Sequence, residues 1–142
     1  MPAALLDSSI YISALRIGGA AIDLRSTERG VTLWLSAVVL AELLAGARDR
    51  DTLSSIEEME YDFRKAQRLL VLEASDWSAA GKVMARLAVR YDYETVGRGR
   101  LLNDVLIAVS ASRKGITVVS ANARDFARIA KFTPFTWREQ LP

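Results

Sequence analysis

The feature that most narrows the fold is an alternation running the length of the chain, in which short apolar runs are each followed by a capping residue and a helix-like stretch. Ala3-Ala4-Leu5-Leu6 ends at Asp7-Ser8-Ser9, which predicts a buried strand feeding a helix to about Arg16, with Gly18-Gly19 as its stop. A short helix is expected over Ala21 to Ser26. Val31 to Leu35 is β-branched and aromatic, hence a strand. Ser36 can cap a helix over Ala37 to Ala45 that Gly46 ends. From Asp51 to about Leu69, apolar residues Leu53, Ile56, Met59, Phe63, Ala66 and Leu70 recur at helical spacing with charges between them. Leu69 to Leu72 reads as a short strand. Ser75 opens a helix to about Tyr91, with Trp77, Ala80, Val83, Met84 and Leu87 on its buried side. After the break Gly97-Arg98-Gly99-Arg100, a helix is expected over Leu101 to Lys114, stopped by Gly115, and then a strand over Ile116 to Val119. Asn122 can cap a last helix through Ala130. Phe132 to Phe135 reads as an edge strand, since Pro134 suits only an edge.

Strands that alternate with helices form a parallel sheet covered by helices on both faces, an α/β class of fold. The 142 residues suit a single domain, 1–142. Neither an internal repeat nor a linker interrupts them.

Composition bears on chemistry more than on fold. The chain contains no cysteine and no histidine. This excludes disulfides, Cys/His zinc sites, thiol nucleophiles and histidine-based triads together. Catalysis is left to carboxylates, hydroxyls, Tyr, Lys or Arg, and a side-chain metal site must be built of oxygens, which favours Mg²⁺, Mn²⁺ or Ca²⁺. Nineteen basic residues against 17 acidic ones give a net charge of +2, which permits a nucleic-acid partner without requiring one. The uncharged stretch Gly30 to Ala41 is far short of the roughly 20 residues of a membrane span. The N-terminus lacks a basic region ahead of its apolar run, so a soluble, cytoplasmic protein is expected.

Ligands of such sheets bind beyond the carboxyl ends of the strands. Asp7 stands at the end of the first strand, and Asn122 and Asp125 stand just after the strand Ile116 to Val119. Glu42 lies within Ala37-Val38-Val39-Leu40-Ala41-Glu42-Leu43-Leu44, and Asp104 heads Asp104-Val105-Leu106-Ile107-Ala108-Val109. A carboxylate on a mostly buried helix is costly unless something pairs with it. Each has an ordinary alternative: Asp7, Asp104 and Asn122 as helix caps, with Asn103 competing with Asp104; Glu42 facing solvent; Asp125 pairing with Arg124 or Arg128. Taken together they read as one cage for a divalent cation, because clustered carboxylates ionise together only when a cation neutralises them. Phosphodiester hydrolysis is the reaction that such a site serves best.

The segments Leu6-Asp7-Ser8-Ser9-Ile10-Tyr11-Ile12, Ser36 with Ala41-Glu42-Leu43-Leu44-Ala45-Gly46, Asn103-Asp104-Val105-Leu106-Ile107-Ala108, and Ser120-Ala121-Asn122-Ala123-Arg124-Asp125-Phe126 give the chain its likeness to a known family. It resembles the PIN domain and, within it, the VapC-type toxin ribonucleases of toxin–antitoxin pairs, over about residues 3 to 130. The resemblance implies a three-layer α/β/α sandwich with a central parallel sheet and a Mg²⁺- or Mn²⁺-dependent endoribonuclease. It makes Asp7, Glu42 and Asp104 the core acids. The last motif offers Asn122 or Asp125 as the fourth position. Asp125 is taken here, with Asn122 and Ser120 supporting it, and Ser120 stands where Thr is usual. The resemblance also implies an RNA substrate, a homodimer and a cognate VapB-like antitoxin. Arg98, Arg100 and Arg124 are candidates for holding phosphate. A PIN-like module that binds RNA or a protein partner without cleaving is the first rival. A phosphoacceptor domain of the response-regulator type is the second, but it wants adjacent acids after the first strand, where Asp7 is followed by Ser8-Ser9.

Overall fold

The computed structural model describes residues 2–16, 30–91 and 99–139. The helix expected at Ala21 to Ser26, the Gly18-Gly19 stop and Arg98 lie outside these residues, as does the side chain of Arg100.

Five strands form one parallel sheet: β1 (Ala3–Leu6), β2 (Thr32–Ser36), β3 (Leu69–Leu70), β4 (Thr117–Val119) and β5 (Trp137–Arg138), in the order β3-β2-β1-β4-β5. Six helices are described: α1 (Ser8–Arg16), α2 (Ala37–Gly46), α3 (Arg50–Lys65), α4 (Ala74–Arg90), α5 (Gly99–Lys114) and α6 (Ala123–Ala130). The expected parallel α/β architecture is therefore present. β1 is the central strand, and Ala4, Leu5 and Leu6 are buried because β2 and β4 flank it and helices cover the sheet. The chain moves outward in one direction through β2 and β3, then returns to the other side of β1 with β4 and β5. That reversal makes the β1/β4 junction the topological switch point, where a crevice opens beyond the strand ends.

Helix α5 starts two residues earlier than its apolar pattern predicts, and this changes the reading of Asp104. The stripe Leu101, Asp104, Val105, Ala108 and Ala111 is buried along one continuous helix, so Asp104 is an interior residue of α5 and does not cap it. Ser110, buried in the same helix, donates its hydroxyl to the Leu106 carbonyl at 2.7 Å. Gly115 ends α5 with φ of 68°, the left-handed conformation that glycine adopts without a Cβ penalty.

Two expectations are corrected. The edge strand is Trp137–Arg138 instead of Phe132 to Phe135. The N–H groups of Phe132 and Thr133 still return to the Ile129 carbonyl, and the Pro134 carbonyl accepts from Ser112, so pairing to β4 begins only at the Thr136 carbonyl. Trp77 is 54% exposed; the position on the buried stripe of α4 is filled by Asp76, paired to Arg113 of α5.

Candidate functional site at the ends of β1 and β4

The register of the central strands creates the site. Leu6 of β1 lies opposite Val119 of β4, so the next residues, Asp7 and Ser120, come side by side at the switch point. The Asp7 N–H continues the ladder by donating to the Val119 carbonyl at 2.8 Å. Both side chains are buried, Asp7 to 4% exposure. Its carboxylate accepts from the Ser8 N–H at 2.7 Å, from the Ser120 hydroxyl at 2.7 Å and from the Ser9 hydroxyl at 3.3 Å. Asp7 thus tethers the start of α1 and also binds Ser120 beyond β4, which a cap alone has no reason to do.

From Ser120 the network passes to Asn122, whose backbone N–H donates to the Ser120 Oγ at 2.9 Å. Asn122 occupies the N-cap position of α6, yet its side chain makes no capping bond. The amide instead donates to Asp125 Oδ2 at 2.9 Å and to Asp104 Oδ2 at 3.4 Å. One –NH₂ group therefore stands between two carboxylates from different helices. Asp104 is 3% exposed, a burial that carboxylates rarely reach without partners. Among the described residues Asp125 accepts from the Asn122 amide and forms no ion pair with Arg124 or Arg128.

Glu42 comes from α2, the helix that Ser36 caps by accepting from the Val38 N–H at 3.2 Å. It is half-buried with its Oε1 atom enclosed, so it does not sit on an open solvent face. Arg124 is exposed on the first turn of α6, beside Asp125. Tyr11, one turn into α1, is buried, and burial pushes its phenol well above the ordinary range, so it stays protonated.

The bonds of the site meet at Asn122. Asp7 is linked through Ser120 to Asn122, which branches to Asp104 and Asp125, and among the described residues no group of three acidic side chains is arranged to hold a metal ion. The like charges of Asp104 and Asp125 are separated by an amide donor, which is one of the ways a cluster of acids is accommodated. The donor set suits a hard divalent cation: every candidate ligand atom is oxygen, and two of the carboxylates, Asp7 and Asp104, are buried. Ser9, which the sequence motif left unassigned, joins the network by accepting from the Ala121 N–H at 3.4 Å while donating to Asp7. Its signal was the Asp-Ser-Ser triplet, read only as a helix start.

Replacing Asn122 with Ala removes the donor that Asp104 and Asp125 share. The expected loss is about 1–2 kcal/mol of stability, measured by urea denaturation at neutral pH. An unchanged midpoint would show that the amide contributes nothing to holding the two acids.

Comparisons with known proteins agree with this architecture. Residues 4–132 match the family model of the PIN domain. Ribonuclease VapC2 of Haemophilus influenzae is 27% identical over 137 residues, which cover 94% of this chain and 96% of the relative. Among solved structures, DNA-bound VapBC from Salmonella typhimurium aligns with a TM-score of 0.64 at 23% identity, covering 97% of this chain and 98% of its own. VapBC-1 from nontypeable Haemophilus influenzae aligns with a TM-score of 0.63 at 20% identity, covering 96% of each.

Proposed function

The chain belongs to the PIN domain family, and on that premise we propose that it is an endoribonuclease, the toxin of a VapBC-type toxin–antitoxin pair, acting as one domain over residues 1–142. The observation that carries this reading is the pair of buried carboxylates, Asp7 and Asp104, joined through Ser120 and Asn122 at the sheet's switch point. A purely structural role does not call for two buried acids at the mouth of a crevice. The full-length relative named as a ribonuclease supports the reaction.

Asp7, Glu42 and Asp104, with Asp125 as the fourth acid, are the residues that would hold Mg²⁺ or Mn²⁺. Such an ion supplies a more acidic water and neutralises charge on phosphoryl oxygens. The chain's own contribution is positioning. The Ser8 N–H and Ser120 hydroxyl fix the Asp7 carboxylate, and Asn122 fixes Asp104 and Asp125. Arg124, exposed beside Asp125, would meet a phosphate at the rim, a role also proposed for Arg98 and Arg100. In-line attack of water on phosphorus then leaves a 5′-phosphate and a 3′-hydroxyl. A VapB-like antitoxin and a second copy of this chain are the proposed protein partners. The setting is cytoplasmic, in keeping with described helices that are all too short or too polar to cross a membrane.

The test is incubation of the purified chain with single-stranded RNA. Cleavage that requires added Mg²⁺ or Mn²⁺, stops with a chelator and yields 5′-phosphate ends is the expected result. RNA binding without cleavage under every divalent ion tried would identify an inactive PIN-like module instead.

A further inference from the structure

A second charged cluster lies where the C-terminal ends of α4 and α6 meet. Three cations surround the ring of Tyr91: the Arg128 guanidinium at 4.6 Å from its centroid, Arg90 at 5.6 Å and the Lys131 ammonium at 6.0 Å. Lys131 also donates to the Tyr91 hydroxyl at 3.3 Å, and the ring meets Phe132 edge-on. A fourth cation, Arg86, is one helical turn before Arg90 and donates to the Phe132 carbonyl at 3.4 Å. Among the described residues none of these four forms an ion pair. Beside them Ala85, Arg86, Val89, Arg90 and Phe132 line a shallow, open hollow of about 570 Å³.

Gathering cations around one aromatic ring places like charges together. Attraction to the ring face offsets some of the repulsion, and a polyanion lying across them would offset the rest. Arginines beside a hollow lined by Ala85, Val89 and Phe132 match a nucleotide, with phosphate on the guanidiniums and the base against the apolar side chains. The cluster is also continuous with the carboxylate site. Asp125 and Arg128 are one turn apart on α6, about 4.5 Å along its axis, and the C-cap Lys131 is about 9 Å from Asp125 along the same axis.

We propose that this surface, centred on Arg90, Tyr91 and Arg128, holds the backbone of single-stranded RNA as the strand leaves the carboxylate site. The assignment rests on the ribonuclease reading above and names the path its substrate takes. Arg90 and Arg128 are positioning residues: they touch flanking nucleotides and not the scissile phosphate.

The experiment measures binding of a labelled single-stranded RNA in chelator, with the chain carrying Asp7→Asn so that nothing is cut. Adding Arg90→Gln and Arg128→Gln is expected to weaken binding about tenfold and to lower the salt slope by about 1.4, for two lost phosphate contacts. The corresponding Lys pair restores most of both. With Asp7 intact, the Gln pair raises KM for RNA and leaves kcat unchanged. Arg86→Gln, at an exposed position, provides a separate reading and is expected to weaken binding about twofold to fivefold. Wild-type affinity and salt slope in both the Gln pair and Arg86→Gln overturn the proposal. So does tighter binding of an acidic Asp/Glu peptide than of RNA to the same surface. If the Asp7→Asn parent itself fails to bind RNA, the ribonuclease reading falls and takes this one with it. That failure is distinguishable because it appears with all four cations in place.

Discussion

Asp7→Asn is expected to lower the rate of RNA cleavage by roughly 10²–10³-fold while leaving the fold in place. The substitution keeps the side chain's size and most of its bonds. The amide oxygen can still accept from the Ser8 N–H, now at 2.7 Å, and the new –NH₂ can donate to the Ser120 hydroxyl that presently donates to Asp7. Stability should therefore change by no more than about 1 kcal/mol. The negative charge is what disappears. A carboxylate that holds a divalent cation secures several kcal/mol of transition-state charge stabilisation, and each 1.36 kcal/mol or so is tenfold in rate. Steady-state cleavage of RNA at saturating Mg²⁺ and urea denaturation of the same preparation check the two halves. Cleavage at the unmutated rate would remove Asp7 from the chemistry. The same assay decides the fourth position: Asp125→Asn should fall as far as Asp104→Asn if Asp125 holds the ion, whereas a larger fall for Asn122→Ala would shift that role to the amide.

The acids were legible in the sequence where burial and position agreed. Asp7 directly follows an apolar run, and Asp104 precedes another, so each stood out as a charge in surroundings that disfavour it. That they belong together was read from their chemistry and from the family resemblance; the route by which they meet was not legible, because it depends on which strands become neighbours. Pairing of β1 with β4 brings together residues 113 apart, Asp7 and Ser120, and local spacing contains no trace of that. Asn122 misled for a different reason. Asn before a helix is a good cap by propensity, and only the tertiary arrangement shows its amide drawn away to two carboxylates. The parallel sheet and most helix limits followed from periodicity and capping residues. Trp77 and Phe132 to Phe135 did not, since hydrophobicity alone cannot say which apolar residue wins the interior. In α4 the interior place went to Asp76, whose partner lies 37 residues away.

Arg113→Met is expected to destabilise the fold by about 3 kcal/mol, because it strips the partner from a buried carboxylate. Asp76 is 2% exposed. Arg113 Nε reaches its two oxygens at 3.0 and 3.2 Å, and Nη2 reaches Oδ2 at 2.9 Å. The same guanidinium donates to the Val71 carbonyl at 3.0 Å and to Glu73 at 3.2 Å, while the Glu73 N–H donates to Asp76 at 2.9 Å. Burial pushes the Asp76 carboxyl up, but the Arg113 hydrogen bonds, the Glu73 N–H and the Arg113 charge together hold it below the usual carboxylate range. The sign of the pH dependence follows. A carboxyl with a lowered folded pKa stabilises the fold above its unfolded pKa, about 4, and that stabilisation is lost as pH falls through the lower folded value. In Arg113→Met burial acts with less opposition, so the variant is penalised at neutral pH and relieved as Asp76 protonates. The gap between the two proteins is therefore widest near pH 7 and narrows below about pH 4. Thermal melts should separate them by about 10 °C at neutral pH, and adding Asp76→Leu to Arg113→Met should recover much of the loss, since an apolar pair of similar volume needs no partner. A neutral-pH difference under about 1 kcal/mol would mean that solvent at the partly exposed guanidinium already screens the pair. The consequence reaches the site, because this bond ties the start of α4 to the end of α5. Asp104 lies nine residues back along that same helix, about 13.5 Å at 1.5 Å per residue. A loosened Arg113 end should thus also lower activity at temperatures where the bulk of the chain is still folded.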